Sequence, residues 1–211
     1  MKKGSINYPE MKRIILECKD KRTQALIAYQ YGVGARAGEL GYYYLHYYND
    51  GPQRSTGLKR KDVTYTDEII RIKHPNFKQK DRQAYWPASI MKENEAWLYN
   101  IILDWLFNGQ NYPKTYNKDP TFLFPITRTR ICSLIDEELK KYDPHYSAHW
   151  IRHSRATHIG EITGDPMAVK MLLGHARIET SMQYVHYTEA VIKRRLGNKS
   201  FEDVLGKAVG D

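Results

Sequence analysis

Apolar positions in the first forty residues recur at helical spacing, in two blocks. Residues 9–19 predict a first helix with Pro9 at its start, where a fixed φ and a missing N–H cost nothing. Residues 21–33 predict a second, with Ala25, Leu26, Ala28, Tyr29 and Val33 as its apolar positions and Gly32 and Gly34 breaking it. Arg36 then falls between this helix and the next. The period changes to two over residues 67–73, predicting a strand paired with residues 82–88 across a turn at 74–81. Residues 89–107 carry Trp97, Leu98, Ile101, Ile102, Leu103, Trp105 and Leu106 and predict one strongly amphipathic core helix. After a loop at 108–120, residues 127–140 predict a further helix, and Ser147 is a candidate N-cap for the one that follows. The apolar run 167–173 ends at Gly174, which suits a helix C-cap, and Tyr184 lies in a second short amphipathic segment. Together these elements predict an α+β fold, mainly helical, with one small antiparallel sheet near residues 60–90.

Composition narrows the function. The chain has 211 residues with 41% hydrophobic content, enough for a core without lipid or repeats. Its formal net charge is +9 and its isoelectric point about 9.4, pointing to a polyanionic partner. Cys18 and Cys132 form no CxxC motif and read as buried, reduced thiols. No apolar run approaches the ~20 residues of a membrane span. The N-terminus lacks the apolar core of a secretion signal, so the expected location is cytoplasmic, with no membrane association.

Candidate chemistry concentrates between His149 and Tyr187. His149 and Arg152 are three residues apart and share a helix face. His175 follows Gly174 on the turn, and Tyr184 comes nine residues later. Such groups suit phosphate chemistry: guanidinium forks bind non-bridging oxygens, imidazole moves protons near neutral pH, and a phenol hydroxyl can attack. No carboxylate cluster of metal-ligand type accompanies them, so no metal or other cofactor is expected and cleavage would rely on cationic side chains. His149 and His153 have the i, i+4 spacing of a zinc helix, but the glutamate that a metallohydrolase needs is missing and Arg152 would repel a cation. His153, His158 and His186 read as structural.

The series His149-x-x-Arg152, Leu173-Gly174-His175 and Tyr184, with Gly34-Ala-Arg36-Ala-Gly-Glu39 upstream, resembles the tyrosine recombinases, or phage integrases. The resemblance covers roughly residues 10–190. It implies a catalytic domain over 1–190 and a helical tail over 191–211, which either docks on a neighbouring protomer or packs on its own chain. There is no room for the family's separate N-terminal DNA-binding domain, so the chain is either minimal or a fragment.

The implied activity is site-specific recombination of double-stranded DNA through a 3′-phosphotyrosyl intermediate, without metal or ATP. The implied assembly is a monomer in solution and a homo-tetramer on paired sites. Tyr184 would be the nucleophile, with Tyr187 out of phase. Arg36 and Arg152 would clamp the phosphate, Glu39 would support Arg36, His149 would assist proton transfer, and His175 would hydrogen-bond the phosphate. A hairpin lysine would protonate the leaving oxygen; the pattern favours Lys78, with Lys73 and Lys80 as competitors. Arg54, Lys59, Arg60, Arg128 and Arg130 are candidate DNA contacts, and a solvated surface accounts for them equally well. The tyrosine-rich stretch 42–48 reads as packing or as a base-stacking platform. The same chemistry serves type IB topoisomerases and telomere resolvases, and a catalytically inactive DNA-binding relative is a further alternative.

Overall fold

The computed structural model describes residues 4–41, 57–66, 70–74, 82–86, 88–109, 121–175 and 177–185. Helix α1 (Tyr8–Glu17) starts where Asn7 accepts a hydrogen bond from the Glu10 amide, with Pro9 in its first turn. Helix α2 (Lys21–Val33) starts on Asp20, whose carboxylate accepts from the Thr23 amide at 2.8 Å. It ends at Gly34, which adopts φ 60°. Gly32, read as a second breaker, lies inside the helix. Eleven residues of α2, Thr23 through Val33, are buried, so this helix is the axis of the domain. It packs against α1, α5 (Ala96–Asn108), α6 (Arg128–Leu139) and α7 (Ala148–Thr163). Tyr29, Tyr31, Phe124, Leu26 and Ile27 form the centre of the core, with the Trp105 and Phe124 rings stacked 5.5 Å apart.

The sheet has three strands rather than a simple pair. Strand β2 (Ile70–His74) pairs antiparallel with β3 (Arg82–Trp86), in a register that sets Lys73 opposite Gln83. The outer strand β1 (Val63–Tyr65) pairs with β2, Val63 opposite Ile72. Three residues are too few to show an alternation, which is why β1 escapes a reading of periodicity.

The helix expected over 89–107 is two helices, α4 (Ala88–Asn94) and α5. The break is Glu95, at φ −133° and ψ 49°, whose carboxylate forms a buried ion pair with Arg155 of α7 at 2.9 Å. A tertiary contact overrides the local helical preference there. Ser147 occupies the N-cap position of α7, but its side chain does not cap. The cap is supplied by Asp136 of α6, whose carboxylate accepts from the Ala148 amide at 2.6 Å.

Helix α7 is the unusual element. Arg152, His153, Ser154, Arg155 and His158 are all buried on it. Each has a partner. Arg155 meets Glu95, Ser154 accepts from the Ile6 amide at 2.8 Å, and His158 Nδ1 lies 2.7 Å from the Tyr31 hydroxyl. Burial and the charge of Arg155 push the His158 imidazole down to about 4, so it is neutral at ordinary pH. Among the described residues, no helix is long and apolar enough to cross a membrane.

Candidate active site

Three turns carry the candidate residues to one place. The first is the end of α2, where Gly34 leads into Arg36 at the N-cap of the short helix α3 (Ala37–Leu40). The second is the end of α8 (Pro166–Leu173), where Gly174 at φ 62° leads into His175. The third is the turn after α9 (Glu179–Met182), which holds Tyr184 outside the helix rather than within an amphipathic segment. Helix α7 runs beneath all three.

The two left-handed glycines at these turns, Gly34 and Gly174, do different work. At Gly34 a Cβ would come within 1.8 Å of Leu173 Cδ2, so the absent side chain lets the α8 terminus sit directly on the end of α2. Gly174 supplies the reversal that frees His175 from α8.

Arg152 joins these ends. Its guanidinium donates to the Gly34 carbonyl and, at 3.0 Å, to the Leu173 carbonyl. Both carbonyls belong to helix C-termini, where the last C=O groups have no intrahelical partner and carry partial negative charge. A buried cation therefore satisfies two helix ends at once, and its plane is fixed by bonds to two separate segments.

Arg36 remains exposed at its side chain, with Nη1 3.2 Å from the buried carboxylate of Glu39. The other Glu39 oxygen accepts from the Arg36 amide at 2.8 Å. Glu39 thus orients both backbone and side chain of Arg36, as the three-residue spacing suggests.

The imidazoles gather around Tyr184. His153 Nδ1 lies 2.5 Å from the Tyr184 hydroxyl, and His153 Nε2 lies 2.6 Å from His149 Nε2. On the other side, the His175 ring stacks on the Tyr184 ring at 6.1 Å, with His175 Nδ1 held 2.8 Å from the Ser181 hydroxyl. Tyr184 is buried, and burial pushes its hydroxyl above the ordinary phenol range while the charge of Arg152 pulls it back. The chain reaches Tyr184 because α7 carries Gly160: a Cβ there would sit 2.1 Å from the Tyr184 carbonyl oxygen.

The structure therefore brings His149, Arg152, His175 and Tyr184 together, with Arg36 two residues beyond the Gly34 carbonyl that Arg152 holds. His153, read from sequence as structural, touches both His149 and the Tyr184 hydroxyl. Its position four residues after His149, one helical turn on the same face, is the signal that could have found it. His158 does have a packing role, against Tyr8 and Tyr31. Lys73 is exposed on β2, whereas Lys78, Lys80, Arg54, residues 42–48, His186, Tyr187 and the tail 191–211 lie outside the described residues.

The candidate DNA contacts divide. Arg60 turns inward and donates to the Leu106 carbonyl at 2.7 Å, and burial lowers its pKa, so its guanidinium serves the fold rather than the surface. Lys59 lies over the Phe122 ring at 5.6 Å. Arg128 and Arg130 stand exposed at the start of α6, Arg130 reaching Glu137 of its own helix at 3.4 Å. Cys18 is buried, and Cys132 is half-buried; neither forms a disulfide. Among the described residues, no group of His, Cys, Asp and Glu side chains forms a metal-ligand set.

The sequence profile of the phage integrase family matches residues 55–190. Tyrosine recombinase XerD of Yersinia pestis is 28% identical over 187 residues, covering 86% of this chain and 54% of the relative. The chain thus spans about half the length of that relative. Among solved structures, the XerA recombinase superimposes with a TM-score of 0.64 at 21% identity, over 95% of this chain and 67% of that one. The XerH site-specific recombinase bound to difH substrate in a pre-cleavage complex gives 0.60 at 20% identity, over 92% of this chain and 52% of that one. These likenesses carry the fold: a mainly helical domain with one small sheet.

Proposed function

The chain belongs to the phage integrase family, and from that premise we propose that it cuts and rejoins DNA strands at specific sites through Tyr184. The observation that carries this reading is the setting of buried Tyr184, whose hydroxyl meets His153, whose ring stacks on His175, and which lies within the field of a buried arginine. In this reading, Tyr184 attacks a phosphodiester in line, forming a 3′-phosphotyrosyl link as the 5′ oxygen departs. Arg36 and Arg152 bind the non-bridging oxygens and stabilise the charge that develops there. Glu39 holds Arg36 in place. Lys78 donates the proton that the leaving oxygen takes, His149 assists removal of the tyrosine proton, and His175 hydrogen-bonds the phosphate. The covalent link conserves the energy of the broken bond, so rejoining needs neither metal nor ATP.

Double-stranded DNA is the partner, bound largely through phosphates and therefore with steep salt dependence. The assembly on paired sites is a homo-tetramer built from monomers. XerH, whose structure is a complex with its difH substrate, supports DNA as the ligand class. The experiment is covalent trapping on nicked duplex DNA in EDTA, followed by denaturing electrophoresis. An adduct lost in Tyr184→Phe and kept in Tyr187→Phe is expected. Adduct formation that persists in Tyr184→Phe, or that EDTA abolishes, would overturn the reading. Exchange between defined sites, rather than relaxation of any supercoil, separates recombination from topoisomerase activity.

A further inference from the structure

His149 assists removal of the tyrosine proton, but the geometry interposes another residue between it and Tyr184. Among the described residues, the hydrogen-bond partner of the Tyr184 hydroxyl is His153 Nδ1, and His149 is reached only through the far nitrogen of that ring. We propose that His153 is a catalytic residue, the direct acceptor of the Tyr184 proton, and that it relays charge to His149. This rests on Tyr184 being the nucleophile.

The direction of the hydrogen bonds follows from what is buried. The Tyr184 hydroxyl is withdrawn from water, and an O–H with no acceptor there would cost roughly 1–3 kcal/mol. Burial also raises its pKa, so it keeps its proton in the resting enzyme. The hydroxyl therefore donates, and His153 Nδ1 must be the unprotonated nitrogen. A neutral His153 then carries its proton on Nε2 and donates it to His149 Nε2, which fixes the His149 proton on Nδ1. The two rings stand nearly perpendicular, 87° apart with centroids 4.2 Å apart, so the edge of one presents its nitrogen to the other.

The step balances. As the Tyr184 oxygen bonds to phosphorus, its proton passes to His153 Nδ1 and the Nε2 proton of His153 passes to His149 Nε2. His153 ends neutral with its proton on Nδ1, and His149 ends as imidazolium. The phosphorus–O5′ bond breaks, and the leaving oxygen takes its proton from the general acid on the other side. Strand rejoining runs the same transfers backwards. The arrangement separates the positive charge from the tyrosine by one full ring, and the Gly160 contact that seats Tyr184 against α7 keeps the relay assembled.

The test has two arms. In the first, ¹⁵N spectra of the histidine-labelled chain report tautomers without DNA. The expected result is His153 with Nε2–H and an unprotonated Nδ1 whose resonance moves in Tyr184→Phe. A proton on Nδ1, or no response to Tyr184→Phe, overturns the relay. In the second, single-turnover adduct formation is measured on a pool of nicked duplexes of randomised sequence, with oxygen or sulfur at the leaving 5′ position. Asn in place of His153 keeps an acceptor near the Nδ1 position but cannot hold a proton. His153→Asn should lower the adduct rate by about 10²-fold or more. The loss should persist with the sulfur leaving group, which departs without a proton. A His153→Asn rate within threefold of the parent, or one restored by sulfur, overturns the relay alone. No adduct from the parent chain on any duplex overturns the recombinase reading and the relay together.

Discussion

Gly160→Ala separates the stability of this domain from the seating of Tyr184. In an ordinary helix interior the change is favourable by about 1 kcal/mol, because alanine loses less backbone entropy than glycine. Here the added Cβ would lie 2.1 Å from the Tyr184 carbonyl oxygen and 2.9 Å from its carbonyl carbon. Carbon–oxygen contacts close at about 3.3 Å, so the Tyr184 backbone must retreat by about 1 Å. The obstacle is backbone on both sides, and no side-chain rotation relieves it. A retreat of that size stretches the 2.5 Å contact between the Tyr184 hydroxyl and His153 to the edge of hydrogen-bond range. A misplacement of this order costs about 10²-fold in rate. The expected outcome is adduct formation down by that factor. Thermal unfolding should change little, because the helical gain offsets part of the lost packing of Tyr184 and Val185 on Ile159 and Leu173. Single-turnover trapping and a thermal melt on the same preparation decide it. Adduct formation at the parent rate would show that Tyr184 does not work from the position seen here.

Glu95→Ala strands the Arg155 guanidinium in the core and should destabilise the fold by about 3–5 kcal/mol in urea titrations; a loss under about 1 kcal/mol would show that the pair is not desolvated. His158 is depressed from 6.5 to about 4 in the folded state, so the unfolded chain takes up its proton first as pH falls. Stability should therefore decline from pH 6.5 to about 4, by roughly 3 kcal/mol from this group, and His158→Gln should flatten that part of a urea-midpoint series. Asp136→Ala removes the cap of α7 and should cost about 1 kcal/mol, whereas Ser147→Ala, whose hydroxyl caps nothing, should cost far less.

What the sequence discloses and what it hides divide along the range of the interactions. Helix α2 is legible to the residue, because Asp20 and Gly34 are caps that act within one turn. The same holds for Gly174, and for the shared face of His149 and Arg152. The break at Glu95 is not legible: its cause is Arg155, 60 residues away. Nor is the cap of α7, which a nearby serine suggests and a distant aspartate provides. Strand β1 is too short to carry a period. Arg60 looks like a surface cation by composition, yet its guanidinium donates to the Leu106 carbonyl. His153 shows the cost of reasoning by elimination. In a helix with three histidines the motif takes His149 alone, and only the tertiary position of Tyr184 reveals what His153 touches.

The concealment of His153 and the working of the site have one physical cause. An amphipathic helix announces its buried face by apolar residues, but α7 buries polar ones, and each is held by a partner from another element. Ile6 from the N-terminal segment, Tyr31 from α2 and Glu95 before α5 take Ser154, His158 and Arg155. The carbonyls of Gly34 and Leu173 take Arg152. These bonds fix the rotation of α7 about its own axis more sharply than apolar packing would, since a hydrogen bond fails within about half an ångström while a methyl contact merely weakens. With that rotation fixed, His149 and His153 have one direction to face, toward Tyr184. The same Arg152 bonds set the α2 end, which carries Arg36, against the α8 end, which carries His175. A phosphate entering this site would meet groups whose orientation has already been paid for in folding, so little reorganisation remains for the moment of attack.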